Sequence, residues 1–278
     1  DTSVGEWLYD KRIVRVMEDA SIATVIADMR QELSSCALVY DLTGALLGVL
    51  ELLDLVRYIL SVHARTPPDA GQEAVRRMLR VCTVAPPAMP LNELCQHLRT
   101  GVRYIAIETE RGDAQHQIIS QRALVEAIRN ASAETPTLRA ALAQPIPSSL
   151  LADERPMQVA PTTWSARRAF ETLAAHGITS LPVVDAQGEA RGVVSATDAL
   201  HVVAPQSLDD PVLDVVAASR RAAGIARPIG DVVACARDAP LEHALALMLT
   251  ERVHHVYVLT PTRVPEGVVS FVDILRAL

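Results

Sequence analysis

The segment Gly192-Val-Val-Ser-Ala-Thr-Asp198 returns as Gly267-Val-Val-Ser-Phe-Val-Asp273, 75 residues later. A segment repeated at a fixed spacing means one structural unit built more than once, and this limits the fold more than any other feature of the chain. A looser copy, Gly48-Val-Leu-Glu-Leu-Leu-Asp54, precedes the first, and Gln117-Ile-Ile-Ser-Gln-Arg-Ala123 falls between them. Four copies of one unit result.

Each copy is preceded by the same order of elements. Ile22, Val25, Ile26, Met29 and Leu33 recur at helical spacing, as do Leu91, Leu94, Cys95 and Leu98. The stripe repeats in Ala169, Phe170 and Leu173, then in Ala244, Leu245 and Met248. The runs 37–40, 104–107, 181–184 and 256–259 have strand composition, and Asp185-Ala-Gln-Gly188 signals a turn. A second helix is expected after each Gly-led strand, with its Asp near the start, where a carboxylate is favourable. The unit is thus helix, strand, strand, helix, preceded by a short strand such as 158–160.

One unit of roughly 55 residues buries too little surface to stand alone, so the repeats should pack as pairs. The boundaries read as 1–66, 72–131, 148–206 and 222–278. The Ala-, Thr- and Pro-rich stretch 132–147 is expected to connect a first pair to a second. Stretches 62–71 and 206–230 are expected to be part-helical connectors inside each pair.

Composition narrows the function. Half of the 278 residues are apolar and 21% are charged, the balance of a globular protein. A net charge of −7 argues against a broad nucleic-acid surface, and 3% aromatic residues leave few platforms for stacking bases. No apolar run reaches the roughly 18 residues of a membrane helix and no leader pattern opens the chain, so a cytoplasmic and also nuclear location is expected, without membrane or nucleic-acid partners. Cys36, Cys82, Cys95 and Cys235 are far apart and form no C-x-x-C pair, so they read as structural thiols and no metal is expected.

An apolar strand followed by G-h-h-S/T-x-x-D resembles the cystathionine-β-synthase (CBS) repeat, and the likeness covers nearly the whole chain. More narrowly, Val253-His-His-Val-Tyr-Val-Leu259 with Gly267 to Leu278 resembles the last repeat of the γ subunit of AMP-activated, SNF1-type protein kinase. Ser180-Leu-Pro-Val-Val-Asp185 and Leu213-Asp214 are similar to the third. The resemblance implies an α/β (α+β) fold of four CBS repeats forming two Bateman-type pairs, arranged as a pseudo-symmetric disc. It also implies adenine nucleotides in the clefts, with AMP, ADP and ATP as ligands and no cofactor. The implied partners are a catalytic α-type kinase subunit and a scaffold β-type subunit.

In this family the closing Asp binds a ribose. Two adjacent hydroxyls can both donate to one fixed carboxylate. Asp198 and Asp273 match that position, with Ser195, Thr197 and Ser270 supplying hydroxyls; the other reading of each Asp is a helix cap. Positions matching the family's phosphate-binding residues carry Arg103 and Arg122 in repeat 2, and His254 and His255 in repeat 4. Each of these alone also reads as a solvated surface cation. Val159, Ala160, Ile178 and Val194 are the expected cleft wall.

Departures from the pattern are informative. Repeat 1 has Glu51 in the Ser/Thr slot and Ser35 where the family often has a basic residue, so a weak or empty ribose site is expected at Asp54. Repeat 2 has Ala123 in place of Asp, and Val272 replaces a hydroxyl residue beside Asp273. One or two sites are expected, three at most. No G-x-S-x-G elbow, phosphate loop or H-E-x-x-H motif supports an enzyme. Two alternatives stay open: a free-standing CBS regulator binding another nucleotide or S-adenosylmethionine, and a ligand-free scaffold subunit.

Overall fold

The computed structural model describes residues 13–63, 74–109, 116–151, 156–202 and 205–278. Repeat 1 runs β1 (Val14–Met17), α1 (Ile22–Gln31), β2 (Cys36–Tyr40), β3 (Leu46–Glu51) and α2 (Leu52–His63), with α3 (Ala74–Met78) after it. Repeat 2 runs β4 (Thr83–Ala85), α4 (Leu91–Arg99), β5 (Tyr104–Ile107), β6 (Gln117–Ser120) and α5 (Gln121–Ser132), followed by α6 (Pro136–Leu142). Repeat 3 has β7 (Ala160–Pro161), α7 (Ala166–His176), β8 (Ser180–Val184), β9 (Ala190–Ser195) and, past two 3-10 turns, α8 (Val212–Ala222). Repeat 4 has β10 (Ala234–Cys235), α9 (Leu241–Thr250), β11 (His255–Leu259), β12 (Pro265–Ser270) and α10 (Phe271–Ala277). Connector 62–71 lies almost wholly outside the described residues.

Each repeat forms one three-stranded sheet of the same topology: the short first strand pairs parallel with the central strand, which pairs antiparallel with the Gly-led strand. A parallel pair needs a crossover, and the first helix of each repeat supplies it. Ser21 and Ser165 cap two of these helices, accepting from Thr24 N at 3.1 Å and Arg168 N at 3.4 Å. The expected turn at 185–188 closes on the Asp185 carboxylate, which accepts from Gln187 N and Glu189 N, while Gly188 takes φ +81°, a conformation costly for other residues.

The apolar stripes are buried as expected, with one exception. Leu33 lies past the end of α1 at φ +52° and is 64% exposed, because the chain leaves the helix in the left-handed region before that position comes round to the core. Repeat 3 also departs from the expected second helix: residues 196–201 form a 3-10 helix. The cause is in the sequence, where β-branched Val202 and Val203 lead towards Pro205, which disfavours helix before it.

Two pairs are present, but their partners are alternate repeats, not neighbours in sequence. One compact unit holds residues 12–81 and 158–232, so its core joins repeats 1 and 3; Val25, Met29, Leu50 and Leu55 are buried with Phe170, Leu173, Leu181 and Val194. There α2 packs on α7 and on the 3-10 helix 196–201. The other unit joins repeats 2 and 4, where Leu94, Leu98, Ile105 and Ile119 are buried with Leu245, Met248, Val256 and Ile274. Stretch 132–147, expected to connect a first pair to a second, belongs instead to this second core. It folds as α6, started by Pro136, and buries Leu142 and Ile146. Ile146 N donates to Ala239 O at 3.1 Å and Leu241 N to Gln144 O at 2.9 Å, tying it to repeat 4. The four apolar helix faces are chemically alike, so adjacency in sequence does not decide which two meet.

Candidate functional site

The repeats place equivalent residues at equivalent points. The end of the Gly-led strand pairs with the start of the central strand: Glu51 with Cys36, Ser120 with Tyr104, Ser195 with Ser180, and Ser270 with His255. Immediately before the central strand stand Ser35, Arg103, Thr179 and His254. The carbonyls of the first three accept N–H bonds from Leu52, Gln121 and Ala196 at 3.3, 3.1 and 2.8 Å. This bond holds the strand-to-helix corner against the central strand, so the motif acid and the residue before the central strand share one end of each sheet.

The acids are built as reciprocal caps. Asp198 Oδ2 accepts from Ser195 N at 2.7 Å and Ser195 Oγ at 2.9 Å; Asp273 Oδ2 accepts from Ser270 N at 2.9 Å and Ser270 Oγ at 2.5 Å. Both residues are buried. Burial pushes the Asp198 carboxyl above its ordinary range, opposed by hydrogen bonds from Ser219 and Ser195 and by the charge of Arg220. A carboxylate has about four acceptor positions, so the Ser195 and Ser219 bonds leave Asp198 little room for a ribose. Each Asp thus caps the helical segment that follows it. In repeat 2, Ser120 Oγ accepts from Ala123 N at 3.2 Å, a cap without its reciprocal acid. Asp54 is held by arginines: Arg57 Nη1 donates to Oδ1 at 3.0 Å, and Arg80 Nε lies 2.8 and 2.9 Å from its two oxygens.

The cations gather in the unit of repeats 2 and 4. Arg103 and Arg122 both act electrostatically on His254. The His254 ring lies against Phe271, with centroids 5.9 Å apart at 56°. Loss of hydration, and then the charges of Arg122 and Arg103, push its imidazole from 6.5 down to about 4, so it is neutral at pH 7. His254 is nevertheless an exposed residue, so water offsets part of the dehydration and the two guanidinium charges are the firmer cause of the downward shift. The guanidinium charges are the part of this push that a bound anion would cancel. His255 opens β11 half-buried beside Ser270.

The predicted set thus divides between the units. Asp273, Ser270, Arg103, Arg122, His254 and His255 come together with repeats 2 and 4; Asp198, Ser195, Thr197 and the four apolar residues lie with repeats 1 and 3. Thr197 is exposed. Val159 and Ile178 are half-buried, but Ala160 and Val194 are fully buried core. Ser219, Arg220, Arg57 and Arg80 lie outside the motif; the basic runs Arg220-Arg221 and Arg76-Arg77 with Arg80 signal two of them, and Ser219 and Arg57 carry no signal of their own. Among the described residues no group of three His, Cys, Asp or Glu could hold a metal, and no helix is long and apolar enough to cross a membrane.

Four copies of this corner make the molecule a repeat-built α/β protein; three of the sheet ends carry the motif acid, and the cations Arg103, Arg122 and His254 fall in the unit that holds Asp273. The CBS-domain family model matches residues 4–61, 152–205 and 223–278, more than half of the chain, and the chain belongs to that family. The second repeat, with Gln117 for Gly and Ala123 for Asp, lies outside these matches. Among solved structures the fold is similar to that of MJ1225 from Methanocaldococcus jannaschii, described as a proposed archaeal homologue of the AMPK γ subunit. The TM-score is 0.74 at 18% identity, over 99% of each chain. It is also similar to an uncharacterised conserved protein from Pyrococcus horikoshii, with TM-score 0.55 and 16% identity over 87% of this chain and 90% of that one. No curated protein matches by sequence.

Proposed function

We propose that the chain is a non-catalytic regulatory subunit that binds adenine nucleotides, AMP, ADP and ATP, and transmits their relative levels to a protein kinase complex. The observation that carries the ligand class is the gathering of Arg103, Arg122 and His254 in the unit that also holds the Asp273–Ser270 corner. Two permanent cations beside a neutral imidazole favour a phosphate, and a buried carboxylate at the same type of corner suits a ribose. S-adenosylmethionine carries a sulfonium cation and is disfavoured at such a cluster. The kinase partnership rests on the likeness of Val253–Leu259 and Gly267–Leu278 to the γ subunit, with the described relationship of MJ1225 in support. Nucleotides differing in phosphate length would bias different arrangements of the complex through their differential affinity.

A second reading has specific support: Asp54 is held by arginines, Asp198 is largely satisfied by serines, and Ala123 replaces the repeat-2 acid. A scaffold subunit whose clefts have lost their ligand would carry such changes. Titration calorimetry with AMP, ADP, ATP, GMP and S-adenosylmethionine, using wild type, Asp198→Ala and Asp273→Ala, separates the readings. Adenine-nucleotide binding lost in Asp273→Ala supports the sensor. Silence with every nucleotide leaves the scaffold, and selective S-adenosylmethionine binding moves the chain to the free-standing regulators.

A further inference from the structure

We propose that repeat 1 is occupied by its own chain: Arg80 takes the carboxylate of Asp54 and latches the segment after α3 onto β3. Asp54 is buried in the corner that the motif builds. Its oxygens accept from Glu51 N at 3.2 Å, Arg57 Nη1 at 3.0 Å, and Arg80 Nε at 2.8 and 2.9 Å. Three N–H donors, one of them shared between the two oxygens, hold the carboxylate, so a ribose hydroxyl would have to compete with a guanidinium for it.

The arginine is held from its backbone as well. Arg80 N donates to Val49 O at 3.0 Å and Val49 N to Arg80 O at 3.1 Å, a one-residue antiparallel bridge on the free edge of β3. A side chain at Gly48 would collide with the Arg80 carbonyl, so the motif glycine of repeat 1 is what lets this segment approach. Arg76, one turn earlier in α3, pairs with Glu18 at the end of β1, a second tie of the same segment to the same repeat. Backbone bridge, glycine and ion pair form one device. It explains why repeat 1 keeps the family's Asp although Glu51 and Ser35 make the corner a poor phosphate site: the acid has a permanent internal partner.

The ligand arm of this inference rests on the nucleotide reading; the latch does not. The test combines thermal unfolding with AMP calorimetry on Asp54→Asn, Arg80→Met and the double variant of the full chain. Arg80→Met keeps the alkyl chain of a residue whose side chain is 43% exposed, so it perturbs packing little and serves if Asp54→Asn does not fold. Each single change is expected to lower the unfolding midpoint on the order of 3 °C. The double variant should fall no further than the worse single, and AMP stoichiometry should stay that of wild type in all three. Additive shifts, unchanged midpoints in the singles, or loss of an AMP site in Asp54→Asn overturn the latch. If the wild type binds no AMP, the nucleotide reading fails while the thermal cycle still decides the latch.

Discussion

Arg99 and Arg276 cap each other across two repeats: Arg99 Nη2 donates to the Arg276 carbonyl at 3.4 Å, and Arg276 Nε donates to the Arg99 carbonyl at 3.0 Å. Arg99 ends α4 and Arg276 lies in the last turn of α10, so each guanidinium meets the negative end of its neighbour's helix. In the other unit Arg57, from repeat 1, makes the one-way equivalent, donating to Ala174 O of repeat 3 at 3.4 Å.

These exchanged caps are exposed, so their worth is modest. Arg99→Ala and Arg276→Ala should each cost about 0.5–1 kcal/mol in urea unfolding, and the double change about the sum, since each substitution removes one side-chain donor and leaves both backbone carbonyls in place. A double change costing clearly less than the sum would show that the two guanidinium groups depend on each other.

Gly267 should not tolerate a methyl group. A Cβ there would lie 2.8 Å from the Leu150 carbonyl and 3.0 Å from a Leu151 side-chain atom, in the bridge between Leu151 and Gly267. Gly267→Ala is expected to destabilise by about 1–3 kcal/mol, whereas Gly230→Ala, whose nearest atom is the Arg191 carbonyl at 3.8 Å, should be far milder. Chemical denaturation of the two variants compares them directly.

His254 gives the protein two opposed pH dependences. Its folded pKa, about 4, lies below the ordinary 6.5, so the unfolded chain binds the proton more readily. This residue's contribution to stability is therefore present above about pH 6.5 and is lost as the pH falls towards 4. A phosphate beside it would offset the two arginine charges and raise that pKa, so nucleotide binding takes up a proton and tightens as the pH drops through the raised value. Calorimetry in buffers of different ionisation enthalpy should show proton uptake in wild type and none in His254→Gln.

Thiol labelling followed by mass spectrometry tests the cores. Burial pushes the Cys235 thiol up to about 11, leaving little thiolate at pH 8, and Cys36 is buried in β2. Both should react far more slowly than half-buried Cys82 in the native protein, and all four should converge once urea unfolds the chain.

Much of this architecture was legible in the residues. The stripes of Leu94 and Leu98, or Phe170 and Leu173, gave the first helices. The strand compositions located the central strands to within a residue, and the repeated G-h-h-S-x-x-D marked the corners. Local signals of that kind act over a few residues. What the sequence hid acts over longer distances: Arg80 grips Asp54 from 26 positions away, and Ser219 reaches Asp198 from 21. The choice of repeat 3 as partner for repeat 1 depends on faces that all four repeats present. Leu33 fitted the helical period, but the helix ended before it. Ala160 and Val194, cleft-wall residues by the family resemblance, are completely buried in their unit's core.

If the cation cluster and the Asp273 corner form one anion-and-ribose site, as proposed, AMP calorimetry on wild type, Arg122→Ala and Asp273→Asn will reveal it. Saturable AMP binding by wild type should be weakened at least about tenfold by either change, a loss of roughly 1.4 kcal/mol each. No binding by wild type, or binding indifferent to both substitutions, rules such a site out.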